Sequence, residues 1–350
     1  MRPILHVDTE RGWRGGQNQV FLLHRGLVAA GVPSIVLCRA GEPLAERLAK
    51  EGLPYEVVHQ GFAFGWRVAA AVRRHGVAGA LIHAHASAAH GQALLGVIGT
   101  RTSIVVTRRL DFILKQGPAA RWKYGPRITR FIAISQAVAR ILMAGGVASQ
   151  QITMIPDGIE PYVWPGGQLP PYRPGKVPVA LCAAAFADHK GHRHLLEAWR
   201  LLEARGVAGE LHLAGNGERE AELKAQAAGL HRVRFLGWCD DLESRWSGVT
   251  VAVLASVEEG LGSVLIEAQL AGVPVVATTA GGIPDVVAQG ASGLLVPPGN
   301  PSALADALER LLRHPAERAR LSQGAVRHAQ GFLADTMVRK HIALYRELCP

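Results

Sequence analysis

Short β-branched runs alternate with stretches of helical periodicity along the whole chain, and this alternation limits the fold more than any other feature. In the first half, strands read at 4–7, 34–38, 55–58, 80–84, 103–107, 131–134 and 152–155. Between the first two, Val20, Leu23, Leu27 and Ala30 recur at helical spacing. Ser135 is placed to cap a helix running through Met143 and closed by Gly145-Gly146. Strands read again at 177–182, 210–214, 233–236, 249–254, 273–277 and 293–296, with helices over 191–202, 218–228, 264–271 and 301–312. Two helical stretches, 316–330 and 333–348, end the chain. Strands separated by helices pair in parallel, so the pattern predicts doubly wound α/β domains with ligands at the carboxyl ends of the strands.

The alternation breaks once. The segment Trp164-Pro165-Gly166-Gly167-Gln168-Leu169-Pro170-Pro171 carries five glycines and prolines in eight residues, which neither helix nor sheet tolerates. It reads as a linker over 165–176, between an N-terminal domain, 1–164, and a C-terminal domain, 177–330, with 331–350 as a last helix. A length of 350 residues, 49% of them hydrophobic, suits two cores and excludes a disordered chain. No run approaches the roughly 18–20 apolar residues that a membrane-spanning helix needs. The N-terminus turns polar after one short apolar run and reads as a strand, not a signal peptide.

Charge is placed unevenly. Residues 1–170 hold 19 Lys and Arg against 9 Asp and Glu, whereas 171–350 hold 19 of each, so the net charge of +10 belongs to the first half. An anionic partner is expected there: nucleic acid, anionic lipid or a phosphorylated substrate. Basic and aromatic residues interleave at Arg108, Arg109, Phe112, Arg121, Trp122, Lys123 and Tyr124, with Arg127 and Arg130 following. Arg121, Tyr124 and Arg127 are expected on one helix face. The segment reads as a site for a phosphorylated acceptor, as a membrane contact, or as a solvated basic helix anchored by Trp122 and Tyr124. The four cysteines show no ligand or disulfide spacing and suggest a reducing compartment. His83 and His85 are expected on opposite sides of a strand, so no metal site is expected.

The segment Glu258-Glu259-Gly260-Leu261-Gly262-Ser263-Val264-Leu265-Ile266-Glu267 follows an apolar strand and opens a helix. The amides of Gly262, Ser263 and Val264 at a helix N-terminus suit a diphosphate, Glu267 stays ionised to accept ribose hydroxyls, and Glu259 faces a second polyol. Gly215-Asn216-Gly217 begins like a dinucleotide fingerprint, but its third glycine is Glu220, which argues against NAD. No helix-turn-helix, RNA-recognition or zinc-finger pattern supports nucleic-acid binding.

The run beyond Glu267, through Gly272-Val273-Pro274-Val275-Val276 and Gly281-Gly282-Ile283-Pro284-Asp285, resembles the retaining glycosyltransferases of family 4. Glu259 and Glu267, separated by seven residues, match the family's glutamate pair. The resemblance extends over essentially the whole chain, to Gly12-Trp13-Arg14-Gly15-Gly16-Gln17, Phe131–Ser135, Ile152–Glu160 (with Asp157 where Asn is usual), Ala214–Gly217 and Val233–Trp238. Phe186-Ala187-Asp188-His189-Lys190-Gly191 resembles a loop in which the usual upstream Arg is here Ala185, with His189, His192 and Arg193 nearby to compensate.

The resemblance implies a GT-B fold, two Rossmann-like domains facing a central cleft, with the last helix crossing back to the N-terminal domain. It implies a hexosyltransferase using a nucleoside diphosphate sugar, UDP-sugar favoured over GDP-sugar, in lipopolysaccharide or other cell-surface glycan synthesis. No cofactor or metal is expected, and no DxD motif occurs. By resemblance, Lys190 contacts the leaving diphosphate and His85 and Glu259 the transferred sugar. Gly15, Gly16, Leu236, Gly237, Trp238, Gly262, Ser263, Val264 and Glu267 hold the donor. Arg108, Arg109, Arg121, Lys123 and Arg127 are the acceptor candidates. The expected acceptor is a phosphorylated or lipid-linked glycan, at the inner face of the cytoplasmic membrane. A nucleotide-sugar enzyme without transfer (epimerase-like) and a basic nucleic-acid-binding protein remain alternatives.

Overall fold

The computed structural model describes residues 1–109, 117–160, 177–239 and 241–349. The proposed linker 165–176 and Phe112 lie outside them. The chain divides into two compact units, Met1–Gly158 with Ala334–Pro350, and Ile159–Leu333. The first unit closes at Gly158, whose N–H and C=O both bond the side-chain amide of Gln19 at 2.8 Å.

Unit 1 is built on seven strands: β1 (Ile4–Val7), β2 (Ser34–Arg39), β3 (Tyr55–Val58), β4 (Leu81–Ala84), β5 (Ile104–Arg108), β6 (Arg130–Ala133) and β7 (Ile152–Met154). They are ordered β3-β2-β1-β4-β5-β6-β7, all parallel. Unit 2 has six: β8 (Val179–Ala183), β9 (Glu210–Ala214), β10 (Val233–Gly237), β11 (Val251–Leu254), β12 (Val275–Thr278) and β13 (Gly293–Val296). Their order is β10-β9-β8-β11-β12-β13, again all parallel. Each expected strand is present with its ends shifted by up to two residues, because a strand end depends on which ladder bonds a neighbour supplies. Ser135 caps Gln136–Ala144 by accepting the Val138 N–H.

Both sheets are buried on both faces. In unit 1, Ile4, Val36, Leu81, Val105 and Ile132 pack beneath Leu23 and Leu27 of helix Gly15–Ala29. The last helix, Ala334–Leu348, adds Met337, Val338, Leu344 and Tyr345 to the same core. It crosses helix Gly15–Ala29 at Gly26, where a Cβ would stand 2.5 Å from a Val338 methyl. In unit 2, Leu211, Leu213, Val251 and Val253 pack against Trp199, Leu308 and Leu311.

The crossing yields a test. Alanine is the better helix former by about 1 kcal/mol, yet Gly26→Ala is expected to lower the midpoint of thermal unfolding. Overpacking against Val338 costs about 1–3 kcal/mol, and an unchanged or raised midpoint would show that the two helices separate freely.

Candidate functional site

In each sheet the strand order reverses once, between β1 and β4 in unit 1 and between β8 and β11 in unit 2. Connections leave such a pair of strands in opposite directions, opening a crevice at their carboxyl ends. The loops at the reversals and the helix starts they lead into carry His85, Lys190, Glu259, Gly15, Gly16, Gly262, Ser263 and Val264.

In unit 2 the loop after β8 makes a 3-10 turn at Asp188–Lys190, and Gly191 (φ +67°) starts helix His192–Ala204. Only glycine fits at 191, since a Cβ would lie 1.9 Å from the Ala255 carbonyl oxygen. This contact presses the loop onto the one after β11, and Val257 N–H donates to the His189 carbonyl at 2.8 Å. The result is an ion pair that the sequence reading did not foresee. Lys190 Nζ lies 2.8 Å from Glu259 Oε2, with the two side chains 20% and 12% exposed. Ser256 Oγ donates to the same oxygen at 3.1 Å. Gly281 packs so closely on the Glu259 carbonyl that a side chain is excluded there too.

Gly262 (φ +83°) leads into helix Ser263–Leu270, whose first amides belong to Ser263 and Val264. Glu267 follows in the second turn of this helix, partly buried. Here the structure corrects an expectation. Glu267 does not stay fully ionised: burial, then the negative Glu243, pushes its carboxyl up to about 7. Leu236 and Gly237 (φ +68°) end the edge strand β10, and the Gly237 carbonyl accepts the Gly215 N–H at 2.8 Å. Trp238 is 68% exposed. Ala185 is exposed, and His192 does not replace the missing arginine's charge. His192 is buried and its imidazole is lowered to about 4, hence neutral. Arg193 Nε bonds His194 instead.

In unit 1, a cavity of about 590 Å³ lies at the β1/β4 reversal, lined by Gly16, His85 and the five arginines Arg11, Arg14, Arg39, Arg108 and Arg109. Gly15 and Gly16 form the first turn of helix Gly15–Ala29, held by Gln17 accepting the Arg14 N–H at 3.1 Å. Arg109 pairs with Asp157 at 3.0 Å, each 13% exposed. Burial raises the Asp157 carboxyl and the guanidinium opposes that. Arg108 Nη1 bonds the Tyr124 hydroxyl at 3.0 Å.

Arg121, Lys123 and Arg127 do not line this cavity. Helix Pro118–Lys123 ends before Tyr124, so the expected shared face of Arg121, Tyr124 and Arg127 does not exist. Arg127 Nη2 donates to the carbonyl of Thr102 at 2.8 Å and to that of Thr100 at 3.2 Å. Lys123 is bonded to Ser87, and Arg121 is exposed.

His83 and His85 share a face and do not oppose each other, because residues two apart on a strand point the same way. Their ring centroids are 3.9 Å apart. His6 on β1 is the direct neighbour of His83 on β4, and its Nδ1 lies 2.9 Å from His85 Nε2. Burial holds all three imidazoles far below their usual range, so they are neutral. One nitrogen from each lies within 4.8 Å of the others, close enough in principle for a metal ion. The lone pairs do not converge: His83 bonds Tyr345 at 2.6 Å and Thr107 at 2.7 Å, and His6 bonds His85. The cluster is a hydrogen-bonded network and, in this arrangement, a poor chelate. Sequence reasoning missed His6 and Tyr345. Their signal was a polar residue inside an apolar strand and a tyrosine on the core face of the last helix.

Residues 13–162 match the domain described as Glycosyltransferase Family 4, and residues 177–314 the one described as Glycosyl transferases group 1. The chain belongs to glycosyltransferase family 4. It is 29% identical to the D-inositol 3-phosphate glycosyltransferase of Corynebacterium urealyticum, over 90% of this chain and 81% of that one. The match to the same-named protein of Frankia alni is 43% identical but spans 30% of this chain and only 26% of its relative. The lipopolysaccharide core biosynthesis glycosyltransferase LpsE of Rhizobium meliloti is 35% identical over 43% of this chain and 44% of its own length. In fold the transferase is similar to a glycosyltransferase from Rickettsia africae (TM-score 0.87, 19% identity, 99% and 98% covered). It is also similar to Anabaena Alr3699/HepE, solved with UDP-glucose (TM-score 0.81, 20% identity, 99% and 100% covered). The fold is GT-B.

Glu267 gives the family 4 protein a pH signature. A carboxyl at about 7 in the folded chain, against an ordinary value near 4.3 when unfolded, holds its proton more tightly when folded. The stability this contributes is complete below about pH 4 and is lost as pH rises through about 7. Glu267→Gln is therefore expected to raise the unfolding midpoint relative to the parent at pH 8 and to have little effect at pH 5. An equal effect at both values would mean that Glu267 ionises freely in the fold.

Proposed function

We propose that the protein is a retaining glycosyltransferase which moves a hexose from a nucleoside diphosphate sugar, UDP-sugar before GDP-sugar, to a hydroxyl of an anionic acceptor. The observation that carries this reading is the Lys190–Glu259 pair at 2.8 Å beside the Gly262–Val264 helix start. It places a cation, a carboxylate and free helix amides at one strand-order reversal. The likeness to HepE, which holds UDP-glucose in its own structure, supports the choice of base.

The barrier to transfer is positive charge growing at the anomeric carbon while a diphosphate departs. Without donor, Glu259 neutralises Lys190, which spares two partly buried charges the cost of standing alone. A bound diphosphate would take over Lys190 and the amides of Ser263 and Val264, freeing Glu259 for the sugar hydroxyls. These contacts strengthen as the C–O bond breaks and its electron pair moves to the phosphate oxygen. The acceptor oxygen attacks from the same face and its proton passes to the departing phosphate oxygen, so configuration is retained and no protein base is needed. Glu267 would accept the ribose hydroxyls, His85 would contact a sugar hydroxyl and Gly16 a phosphate oxygen. No cofactor or metal takes part in this scheme.

The acceptor side follows from charge. Between Glu56 and Asp157 the chain has twelve Lys and Arg and a single acid, Asp111. The arginine-lined cavity suits a phosphorylated acceptor, and the relatives named for D-inositol 3-phosphate and lipopolysaccharide core point to the same chemistry. Action on a lipid-linked glycan at the inner face of the cytoplasmic membrane fits that charge. No helix among the described residues is long and apolar enough to cross a membrane.

Incubation with UDP-, GDP- and ADP-sugars, followed by NMR, reads the base, the sugar and the product anomer together. Slow hydrolysis of a UDP-hexose to the retained anomer is expected. Lys190→Ala should cut kcat by about 10²–10³-fold, the loss seen when one donor that stabilises developing negative charge is removed. An inverted product, or unchanged turnover in Lys190→Ala, would overturn the reading.

A further inference from the structure

The imidazoles of His6 and His85 share one hydrogen bond, and each keeps a second nitrogen that is buried without a partner. From this we infer that His6 is a positioning residue: it fixes His85 as the Nδ1–H tautomer, so that His85 donates a hydrogen bond to an oxygen of the bound substrate. The inference rests on the reading of His85 as a residue that contacts substrate.

Two buried neutral rings facing each other nitrogen to nitrogen have one proton between them, so one donates and the other accepts. If His85 Nε2–H donates, the leftover N–H is Nε2 of His6. That residue is wholly buried and does not line the cavity, and its Nε2 has no partner, the His24 ring standing 6.0 Å away between centroids. If His6 Nδ1–H donates, the leftover N–H is the buried Nδ1 of His85, a residue that lines the 590 Å³ cavity. The nitrogen left bare on His6 is then only an acceptor. An unpaired acceptor is tolerated inside proteins better than an unpaired N–H. The second arrangement alone leaves its unpaired donor on a residue that a ligand can reach.

The surroundings hold this choice in place. His83 cannot partner either ring, because both its nitrogens are bonded, to Tyr345 and to Thr107. It stands against His85 as a wall, at 3.9 Å between centroids. The backbone of His85 is tied as well: its N–H donates to Val7 at 3.1 Å and its carbonyl accepts from Arg109 at 3.4 Å. Only the ring of His85 can turn, and the bond to His6 sets where it stops. His6 itself is held in register by β1, between Val36 of β2 and His83 of β4.

The tautomers can be read directly in the full chain labelled with ¹⁵N-histidine, by long-range ¹H–¹⁵N correlation without substrate. His6→Asn and His85→Gln assign the two signals. The proton is expected on Nδ1 of both rings; a proton on Nε2 of His85 would overturn the inference whether or not the protein transfers sugar. Turnover gives the second readout. His6→Leu should lower kcat on the order of tenfold, the worth of one hydrogen bond of about 1.4 kcal/mol, and leave the donor KM unchanged. His6→Asn keeps an amide N–H near the position of Nδ1 and should restore most of the rate. Equal loss in both variants would reduce His6 to a space-filling residue. If the parent transfers no sugar from any donor, the proposed function fails and the tautomer result still stands.

Discussion

The single reversal of strand order in each sheet is the constraint on which the rest of this structure depends. At β8/β11 it brings together two loops that are some seventy residues apart in sequence, and Gly191 lets their backbones close to contact, while Gly281 after β12 packs on Glu259. Lys190 and Glu259 pair across that contact. At β1/β4 the same reversal sets the glycine-rich helix start beside His85 and leaves an arginine-lined cavity. The chemistry follows from parallel pairing: every strand must end on the same side, and only at the reversal do neighbouring connections part.

The two reversals are built differently. The one in unit 2 joins opposite charges over partly buried ground, where each compensates the other. The one in unit 1 is backed by neutral imidazoles in the core. Burial keeps His6, His83 and His85 uncharged, so they act through hydrogen bonds and not through charge. The last helix takes part through Tyr345, which is why the first core is incomplete without the end of the chain.

Much of this was legible in the chain itself, and the misses have identifiable causes. Strand and helix positions follow from periodicity, and the glycines between Glu259 and Glu267 mark the turn from strand to helix. The basic segment around Arg121 misled because spacing carries no information about where a helix stops: it ends at Lys123, and Arg127 is engaged by loop carbonyls. Glu267 misled because ionisation depends on what a fold packs around a carboxyl, here including Glu243.

By itself the sequence determined two parallel α/β units, the placement of excess positive charge in the first, and the residue types available at the carboxyl ends of the strands. Those are properties of local pattern and composition, which tertiary context seldom reverses. Only the tertiary structure decided which of these residues meet: Lys190 with Glu259, Arg109 with Asp157, and His6 with His85. Such pairs join segments between about fifty and eighty residues apart, through strand register and close glycine contacts, and no periodicity in the chain encodes either.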